Sequence, residues 1–175
     1  VNDPPLATAQ VLSLDEDQSA SGILLGSDPE GDPLSFALLT SPDNGILTLD
    51  ENTGAFTYAP VQDFFGQDSF DFIVSDGTVD SAPAEVVIDV LPINDVPSAQ
   101  GTEITLLEDT SYQGFLQGSD VDADVLSYVL VDSVGFGVLN VNATDASFTY
   151  TPEGNFYGTD SFSFKVSDGS LSSAQ

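Results

Sequence analysis

Cysteine and histidine are absent from the 175 residues of the sequence, and Lys and Arg together occur once, as Lys165, against 29 Asp and Glu. Without Cys and His the chain can form no disulfide, no thiol nucleophile, no imidazole base and no zinc site of the usual type. The formal net charge of −28 excludes direct binding of nucleic acid phosphates or of an anionic membrane surface. Most classes of enzyme and the proteins that bind nucleic acids are therefore excluded.

Long apolar runs are also missing. No stretch approaches about 18 residues, so no membrane insertion is expected, and no segment resembles a signal peptide. The sequence does not begin with Met, and we expect it to be a piece of a longer chain. Hydrophobic residues make up 41% of the sequence, which is enough to build a core and argues against a disordered acidic chain. Many carboxylates with almost no cations suit an extracellular setting rich in a divalent metal.

One pattern occurs twice in the sequence, with an offset of 92 residues. The block FTYAP at Phe56–Pro60 returns as FTYTP at Phe148–Pro152, and the other blocks return in the same order. A repeat of this length indicates two tandem domains. We place repeat 1 at residues 1–92 and repeat 2 at residues 93–175.

Each repeat is expected to be an all-β, seven-stranded Greek-key β-sandwich, because short alternating apolar stretches are separated by Gly, Pro, Asn and Asp. Phe70, Phe72 and Val74 fall on one face of such a strand, and Asp71 and Ile73 fall on the other. The strands of repeat 1 are predicted at Ala7–Leu14, Gly22–Leu25, Leu34–Thr40, Ile46–Asp50, Ala55–Ala59, Ser69–Ser75 and Ala84–Leu91.

The two repeats differ at their C-terminal ends. Repeat 1 ends on the strong strand Ala84–Leu91, whereas Gln175 is the counterpart of Pro83. The second sandwich is therefore expected to lack its last strand in this chain, which leaves an open edge and an uncovered apolar row. The missing strand can come from a longer tandem chain or from a neighbouring subunit, and the sequence leaves both alternatives open.

Carboxylates stand at alternate positions of a Gly- and Pro-containing loop, at Asp28, Glu30 and Asp32. Calcium takes six to eight oxygen ligands, which such a loop can supply, although a solvated Asp-rich turn is the plain alternative. An EF-hand does not fit, because Pro33 stands at its sixth position and Leu39 at its twelfth. The same triplet returns in repeat 2 as Asp120, Asp122 and Asp124.

Several blocks resemble those of cadherin repeats. GSDPEGDPLSF at Gly26–Phe36 resembles the D-x-D-x-G-x-N-x-x-L-x-Y block, and VSDG at Val74–Gly77 resembles the A-x-D-x-G block. Glu16 is placed like the glutamate near the end of the first cadherin strand, and Pro92–Pro97 like the inter-repeat linker. The D-R-E block has no clean counterpart. The chain resembles the bacterial cadherin-like and Ig-like tandem repeats of large secreted, calcium-dependent adhesins, and the blocks return in repeat 2 at Gly118–Tyr128, Val166–Gly169 and Glu108.

The resemblance implies Ca²⁺ as the bound ion, held at junctions between repeats. One such site would be made from Glu16, Asp63, Asn94, Asp95, Asp120, Asp122 and Asp168, with Asp124 completing the triplet. A second set would need a preceding domain to close it, and it consists of Asn2, Asp3, Asp28, Glu30, Asp32 and Asp76. Glu108 is the counterpart of Glu16 in repeat 2.

We expect a non-catalytic structural extender or adhesion module of an extracellular bacterial surface protein or filament, rigidified by calcium. Its partners would be neighbouring repeats or identical subunits, arranged head to tail. One alternative is a carbohydrate-binding accessory module of a secreted polysaccharide-degrading enzyme, with surface glycans as partners, and another is a filament subunit that polymerises by strand donation. The aromatic residues Tyr58, Phe64, Tyr150 and Phe156 are interpreted as core residues rather than as a sugar-stacking platform.

Overall fold

The structure is a computed structural model that describes residues 2–175; Val1, the first residue of predicted repeat 1, lies outside the described residues. The chain divides into two compact units, of which unit 1 ends at Ile93 and unit 2 is Asn94–Gln175. Its regular elements are strands, and no helix in residues 2–175 is long and apolar enough to cross a bilayer. The predicted fold class, two tandem β-sandwiches, is confirmed.

Two main sheets and a short strand pair form unit 1. Its strands are β1 Leu6–Thr8, β2 Gln10–Asp15, β3 Ala20–Ile23, β4 Leu25–Ser27, β5 Ser35–Leu38, β6 Gly45–Leu49, β7 Ala55–Pro60, β8 Gly66–Ser75 and β9 Ala84–Leu91. One sheet has the order β2-β9-β8-β5 and the other the order β3-β7-β6, while β1 pairs with β4. Strands β2 and β9 are parallel, and the other pairs of unit 1 are antiparallel.

The first two predicted strands of repeat 1 are each interrupted, so unit 1 has nine strands rather than seven. The stretch Ala7–Leu14 is divided at Ala9, where the chain leaves β4 and joins β9. The second predicted strand is divided at Leu24, where the chain leaves β7 and joins β1. A strand that changes partner keeps its extended backbone, so the alternation of apolar residues does not reveal the change.

The side chain of Gln10 bridges the break in the second strand. Its amide group donates to the Ile23 carbonyl at 3.0 Å, and its Oε1 accepts the Leu25 N–H at 3.1 Å. Leu24, between those two residues, is 2% exposed, and its N–H donates to the Gly54 carbonyl at 2.8 Å. The backbone groups released by the break are therefore paired, as buried peptide groups must be.

The core of unit 1 lies between the two sheets. As predicted, Phe70, Phe72 and Val74 of β8 face inward and are at most 1% exposed. From β9, Val86 and Ile88 add two fully buried side chains. Burying each of these side chains stabilises the fold by roughly 1.5–3 kcal/mol. The buried cluster also includes Leu14, Leu24, Phe36, Phe56, Tyr58, Ala84 and Val90.

A tyrosine and an aspartate form a buried pair in unit 1. Tyr58 is fully buried, and its hydroxyl donates to Asp68 Oδ2 at 2.9 Å. Burial alone raises the pKa of Asp68, but hydrogen bonds from Asn44, Tyr58, Asp43 and Ser69 outweigh it and lower the pKa overall. The pair recurs in unit 2 as Tyr150 and Asp160, with a 3.1 Å hydrogen bond.

The prediction that Tyr58 and Tyr150 are core residues is confirmed, since both are buried. Phe64 is half-buried and packs against the core of unit 1, as predicted. Phe156 is half-buried and stacks on Phe136, with ring centroids 4.7 Å apart.

Unit 2 repeats this plan with fewer strands. They are β10 Ser98–Gln100, β11 Tyr112–Phe115, β12 Gln117–Ser119, β13 Ser127–Asp132, β14 Gly137–Val141, β15 Ser147–Pro152 and β16 Ser163–Ser167. Strand β15 lies between β11 and β14, β10 pairs with β12, and β13 pairs with β16.

Counterparts of β2 and β9 are absent from the described part of unit 2. In unit 1, β9 is the strand that pairs with β2 and with the first half of β8. Without such a strand, residues 102–107 form no ladder, and β16 has five residues where β8 has ten. The expected open edge is therefore present on two segments, residues 102–107 and residues 158–162.

Candidate metal sites

Strand ends bring the acidic residues of unit 2 together. Strand β10 begins beside the end of β12, because Ser98 pairs with Ser119, and β13 begins beside the end of β16, because Ser127 pairs with Ser167. Strand β10 also contacts β16, so the two strand pairs share one end of the unit. The acidic residues that flank these strand ends are Asp95, Asp120, Asp122, Asp124 and Asp168.

The triplet of unit 2 is compact. Carboxylate oxygens of Asp120, Asp122 and Asp124 lie within 4.8 Å of one another. The Asp124 N–H donates to Asp120 Oδ1 at 3.3 Å, and the Asp95 N–H donates to Asp122 Oδ2 at 2.8 Å. Three carboxylates at this spacing repel one another, and a bound divalent cation would convert the repulsion into attraction.

Asp168 is held at the same end of unit 2 by Asn94. The Asn94 side-chain amide donates to Asp168 Oδ2 at 2.9 Å, and Oδ1 accepts the N–H groups of Ser170 and Leu171, each at 2.6 Å. The hydrogen bond from Asn94, followed by those from the backbone, lowers the pKa of Asp168. The carboxylate is therefore ionised at neutral pH, as a calcium ligand must be.

Unit 1 builds the same arrangement from Asn2 and Asp76. The Asn2 amide donates to Asp76 Oδ2 at 2.8 Å, while Oδ1 accepts the N–H groups of Thr78 and Val79. The hydrogen bond from Asn2 is the largest of the causes that lower the pKa of Asp76. The linker asparagine and the VSDG aspartate are thus partners in both units.

The loop of Asp28 differs in detail from its counterpart. Asp28 Oδ1 accepts the N–H groups of Glu30 at 2.9 Å and Asp32 at 3.0 Å, which closes a tight turn. Glu30 Oε2 accepts the Asp3 N–H at 3.3 Å. Among the described residues, the three carboxylates of this loop do not form a group with oxygens within 4.8 Å, unlike those of unit 2. Unit 2 therefore has the more compact triplet.

One oxygen in each loop fits a cation. Within residues 2–175, Asp28 Oδ2 and Asp120 Oδ2 are buried atoms with no hydrogen-bond partner. A buried acceptor without a partner costs about 1–3 kcal/mol, and more when it is charged. The two atoms occupy equivalent positions of the repeat, so the feature is duplicated. A hard divalent cation bound in each loop would satisfy the buried oxygen of that loop. The neighbouring carboxylates in each loop are suitable ligands for calcium.

Glu16 and Asp63 lie at the other end of unit 1. Glu16 follows β2 and is 3% exposed, and its Oε1 accepts the Ile93 N–H at 2.7 Å. Asp63 lies between β7 and β8, and its N–H donates to Asp17 Oδ1 at 3.1 Å. Both Asp17 and Asp63 adopt left-handed backbone conformations, with φ of 59° and 58°. Glu16 and Asp63 are therefore separated from the other six predicted ligands of unit 1, which lie at its N-terminal end.

Glu108 is exposed, in contrast to its buried counterpart Glu16. The segment before Glu108 forms no strand, so no ladder holds it in place. The neighbouring contact is retained, because Asp109 Oδ1 accepts the Asn155 N–H at 2.8 Å.

Sequence reasoning missed Asp17 and Asp109 as anchors of these loops. The repeated Glu-Asp pair was the available signal, but only the glutamate matches the cadherin pattern. The Tyr58–Asp68 pair was missed for a similar reason, since the repeated FTY and DSF blocks do not show that their polar atoms meet.

The fold and these ends define a class of protein, namely tandem Ig-like and cadherin-like β-sandwiches with acidic loops at the strand ends. The family model described as the bacterial Ig domain matches residues 2–89 and again residues 94–175. The chain therefore belongs to the bacterial Ig domain family, in two tandem copies, and the predicted resemblance is confirmed.

The chain is similar to small parts of much longer proteins. Integrin beta-like protein B of Dictyostelium discoideum is 28% identical over 145 residues, which are 74% of this chain and 7% of that protein. A sphingomyelinase of Mycobacterium tuberculosis is 32% identical over 83 residues, which are 44% of this chain and 17% of that protein. The extracellular domain of protocadherin GammaB4 has a TM-score of 0.60 at 15% identity over 98% of this chain and 33% of that one. This last similarity is one of fold alone.

Proposed function

We propose that the chain is an extender or adhesion segment of an extracellular bacterial surface protein and that calcium binds at the acidic end of each unit. Membership of the bacterial Ig domain family supports the extracellular, structural part of the proposal. The observation that carries the calcium part is the buried, partnerless carboxylate oxygen at equivalent positions of both units, Asp28 Oδ2 and Asp120 Oδ2. The chain acts mechanically in this proposal and catalyses no reaction.

The ligands proposed for unit 2 are the oxygens of Asp120, Asp122 and Asp124, with Asp168 held beside them by Asn94. Calcium is favoured over magnesium because it accepts more ligands and a less regular geometry. Extracellular calcium modules bind with dissociation constants of about 10⁻⁴–10⁻³ M. Sites of that affinity are filled outside cells and empty in the cytosol. The proposed ligands of unit 1 are Asn2, Asp3, Asp28, Glu30, Asp32 and Asp76.

The resemblance to cadherin repeats supports a further step, in which calcium stiffens the joint between consecutive repeats. In this step Glu16, Asp63 and Asp95 contribute carboxylates when the ion is bound. Neighbouring repeats or identical subunits are then the partners, arranged head to tail. Labels placed on each unit for energy transfer should report a narrower distribution of distances in calcium than in EDTA. Equal widths in both conditions would refute the stiffening and leave the binding sites to be judged separately.

Calorimetric titration of the full chain with calcium tests the binding sites. Asp120→Asn keeps the shape of the side chain and removes a charge, and it should weaken binding in unit 2 at least about tenfold, because one ligand loses its charge. The matched control is Glu153→Gln. Glu153 follows β15, and the end of β15 lies beside the start of β11, because Tyr150 pairs with Tyr112. Asp120 follows β12, beyond the other end of β11, so Glu153 lies at the end of the unit opposite to Asp120.

Three results would contradict the calcium proposal. The unchanged chain could release or absorb no heat with calcium at several millimolar, the control could lose as much affinity as Asp120→Asn, or melting could be identical in EDTA and in calcium. When the free calcium concentration is 100 times the dissociation constant of a site, binding at that site should add about 2.7 kcal/mol to the free energy of unfolding.

Three aromatic residues that the sequence offered for the carbohydrate-binding alternative do not support it. Tyr58 and Tyr150 are buried, and Phe64 packs against the core. These three side chains therefore contribute to the core of their unit rather than to an exposed stacking platform.

A further inference from the structure

One Asn-Gly pair occurs in the chain, and it lies at the start of β6. The sequence has seven asparagines, and Asn44 is the one that is followed by glycine. An asparagine reacts with its own backbone when the nitrogen of the next residue attacks the side-chain amide carbon. A side chain on that next residue hinders the attack, and glycine has none. By sequence, Asn44 is therefore the asparagine most open to this reaction, and the fold decides whether the two groups are available.

The nitrogen of Gly45 lies outside the hydrogen-bond ladder of its sheet. Asn44 is bonded to the neighbouring strand, since its carbonyl accepts the Val61 N–H at 2.8 Å. Bonded and non-bonded pairs alternate in an antiparallel ladder, and the next pair is Gly45 with Pro60. The Gly45 N–H therefore points away from β7. Strand β6 is the edge of the sheet β3-β7-β6, and no strand in the described part of the chain pairs with its other side.

The side-chain amide of Asn44 is also available. The backbone of this residue is held on both sides, because its N–H donates to Asp68 Oδ2 at 2.9 Å and its carbonyl accepts the Val61 N–H. Its side chain makes no hydrogen bond within residues 2–175, and the residue is half-buried rather than enclosed. The amide carbon can therefore turn toward the Gly45 nitrogen without giving up a hydrogen bond of the side chain.

Packing requires the glycine of this pair but not the asparagine. A Cβ at Gly45 would overlap the ring of Tyr58. At the position of Asn44, unit 2 has Phe136, whose N–H donates to Asp160 Oδ2 at 2.8 Å, just as the Asn44 N–H donates to its own aspartate. Unit 2 thus builds the same turn without an asparagine. Replacement of Asn44 alone should therefore remove the reactive pair and keep the fold.

We propose that Asn44 is a site of spontaneous backbone modification in the folded chain. The Gly45 nitrogen loses its proton and forms a bond to Asn44 Cγ, and the bond from Cγ to the NH₂ group breaks, which releases ammonia and leaves a succinimide ring. Water then opens the ring. Breaking the new Cγ–N bond gives aspartate, whereas breaking the original backbone C–N bond gives isoaspartate, in which the chain continues through the side chain. Water is the one other reactant.

The isoaspartate product would disturb the contacts of this turn. The carbonyl that accepts the Val61 N–H becomes a carboxylate, and the chain to Gly45 leaves from Cγ with one more atom in the backbone. The bond from Val61 and the position of Gly45 opposite Pro60 cannot then both be kept. The product also carries a new negative charge on the residue whose N–H contacts Asp68, and like charges repel. Modification should therefore loosen the loop between β5 and β6.

Peptide mapping by mass spectrometry tests the proposal on the full chain, incubated folded at neutral and at mildly alkaline pH. We expect conversion of Asn44 to aspartate and isoaspartate before any other asparagine changes, and faster conversion at the higher pH, because the attacking nitrogen must lose its proton. Enzymatic methylation of isoaspartate identifies the rearranged product. Asn142, which precedes Ala143 in an exposed turn, is the internal control. The matched variant is Asn44→Phe, which should give no modified product in this segment.

The structural consequence is measured on separated products. Anion exchange separates them from the unchanged chain, because the conversion adds a negative charge at neutral pH. The isoaspartate form should unfold at a lower urea concentration than Asn44→Asp, which has the new charge without the rearranged backbone.

Three results would overturn the proposal. Asn44 could stay unchanged in the folded chain and react only in urea, which would show that the fold blocks the attack. Asn142 could react as fast as Asn44, which would remove the role of the glycine. The isoaspartate form and Asn44→Asp could unfold at the same urea concentration, which would refute the effect on the turn.

Discussion

The substitution Asp68→Asn should destabilise unit 1 strongly, although it only replaces one carboxylate oxygen with an NH₂ group. Asp68 Oδ1 accepts the N–H groups of Asp43 and Ser69, and Oδ2 accepts the N–H of Asn44 and the hydroxyl of Tyr58. An asparagine has one acceptor oxygen, so its NH₂ group must face at least one backbone N–H in either orientation. The Tyr58 hydroxyl can turn to accept from that NH₂ group, but the Asn44 N–H, or the N–H groups of Asp43 and Ser69, would lose their acceptor. At least one hydrogen bond to a charged acceptor is lost, so the expected loss is at least about 1.5–3 kcal/mol.

Urea denaturation of the full chain measures this loss. Tyr58→Phe removes a single donor and should cost about 1–2 kcal/mol, and the double variant should lose less than the two single variants together. The control is Asp80→Asn, which alters an exposed carboxylate of unit 1. A loss for Asp68→Asn within about 1 kcal/mol of the control would refute the reasoning.

Acidity supplies an independent check on Asp68. Burial raises the pKa of Asp68, but hydrogen bonds outweigh that effect and hold the pKa in the folded chain below the ordinary aspartate value of 3.8. The carboxylate therefore stabilises the folded state above about pH 4. That contribution is lost as the pH falls through the lowered folded pKa. The difference in unfolding free energy between the unchanged chain and Asp68→Asn should accordingly shrink at low pH, and a difference that stays constant would contradict the assignment.

Two further predictions each compare a substitution with a control at another position of the chain. Gly137→Ala should cost about 1–3 kcal/mol, because a Cβ there would overlap the carbonyl of Thr151 and the ring of Tyr150, whereas Gly101→Ala, with open space around the new methyl group, should be nearly neutral in the same denaturation assay. Glu16→Ala, measured in EDTA, should cost about 1–3 kcal/mol, because a buried side chain and its hydrogen bond from the Ile93 N–H are lost. Glu108→Ala should change stability by less than about 0.5 kcal/mol, and equal effects would contradict the difference in burial.

Much of the fold could be predicted from the sequence, because burial imposes a period of two on each strand. The alternation at Phe70, Phe72 and Val74 predicted the inward face of β8 correctly. The breaks at Ala9 and Leu24 could not be predicted in the same way. They depend on which strand lies alongside, and the partner strands are distant in sequence.

The acidic ends were predicted by resemblance, but their internal pairing was not. The resemblance to cadherin repeats identifies Asn2 and Asp76 as candidate ligands. It does not show that they form a hydrogen bond with each other, because they are 74 positions apart in the sequence. The Asp68 pair is harder still, because Asp68 is one of 29 acidic residues and its burial depends on Tyr58 from another strand. Composition carries no information on which carboxylate is enclosed.

Strands β2 and β9 are the parallel pair of unit 1, and they lie near the two ends of its chain. Tension applied between those ends would pull the two strands in opposite directions along their length. The hydrogen bonds along their six residue pairs would then be loaded together in shear. They would not break one at a time, as they do when strands are peeled apart.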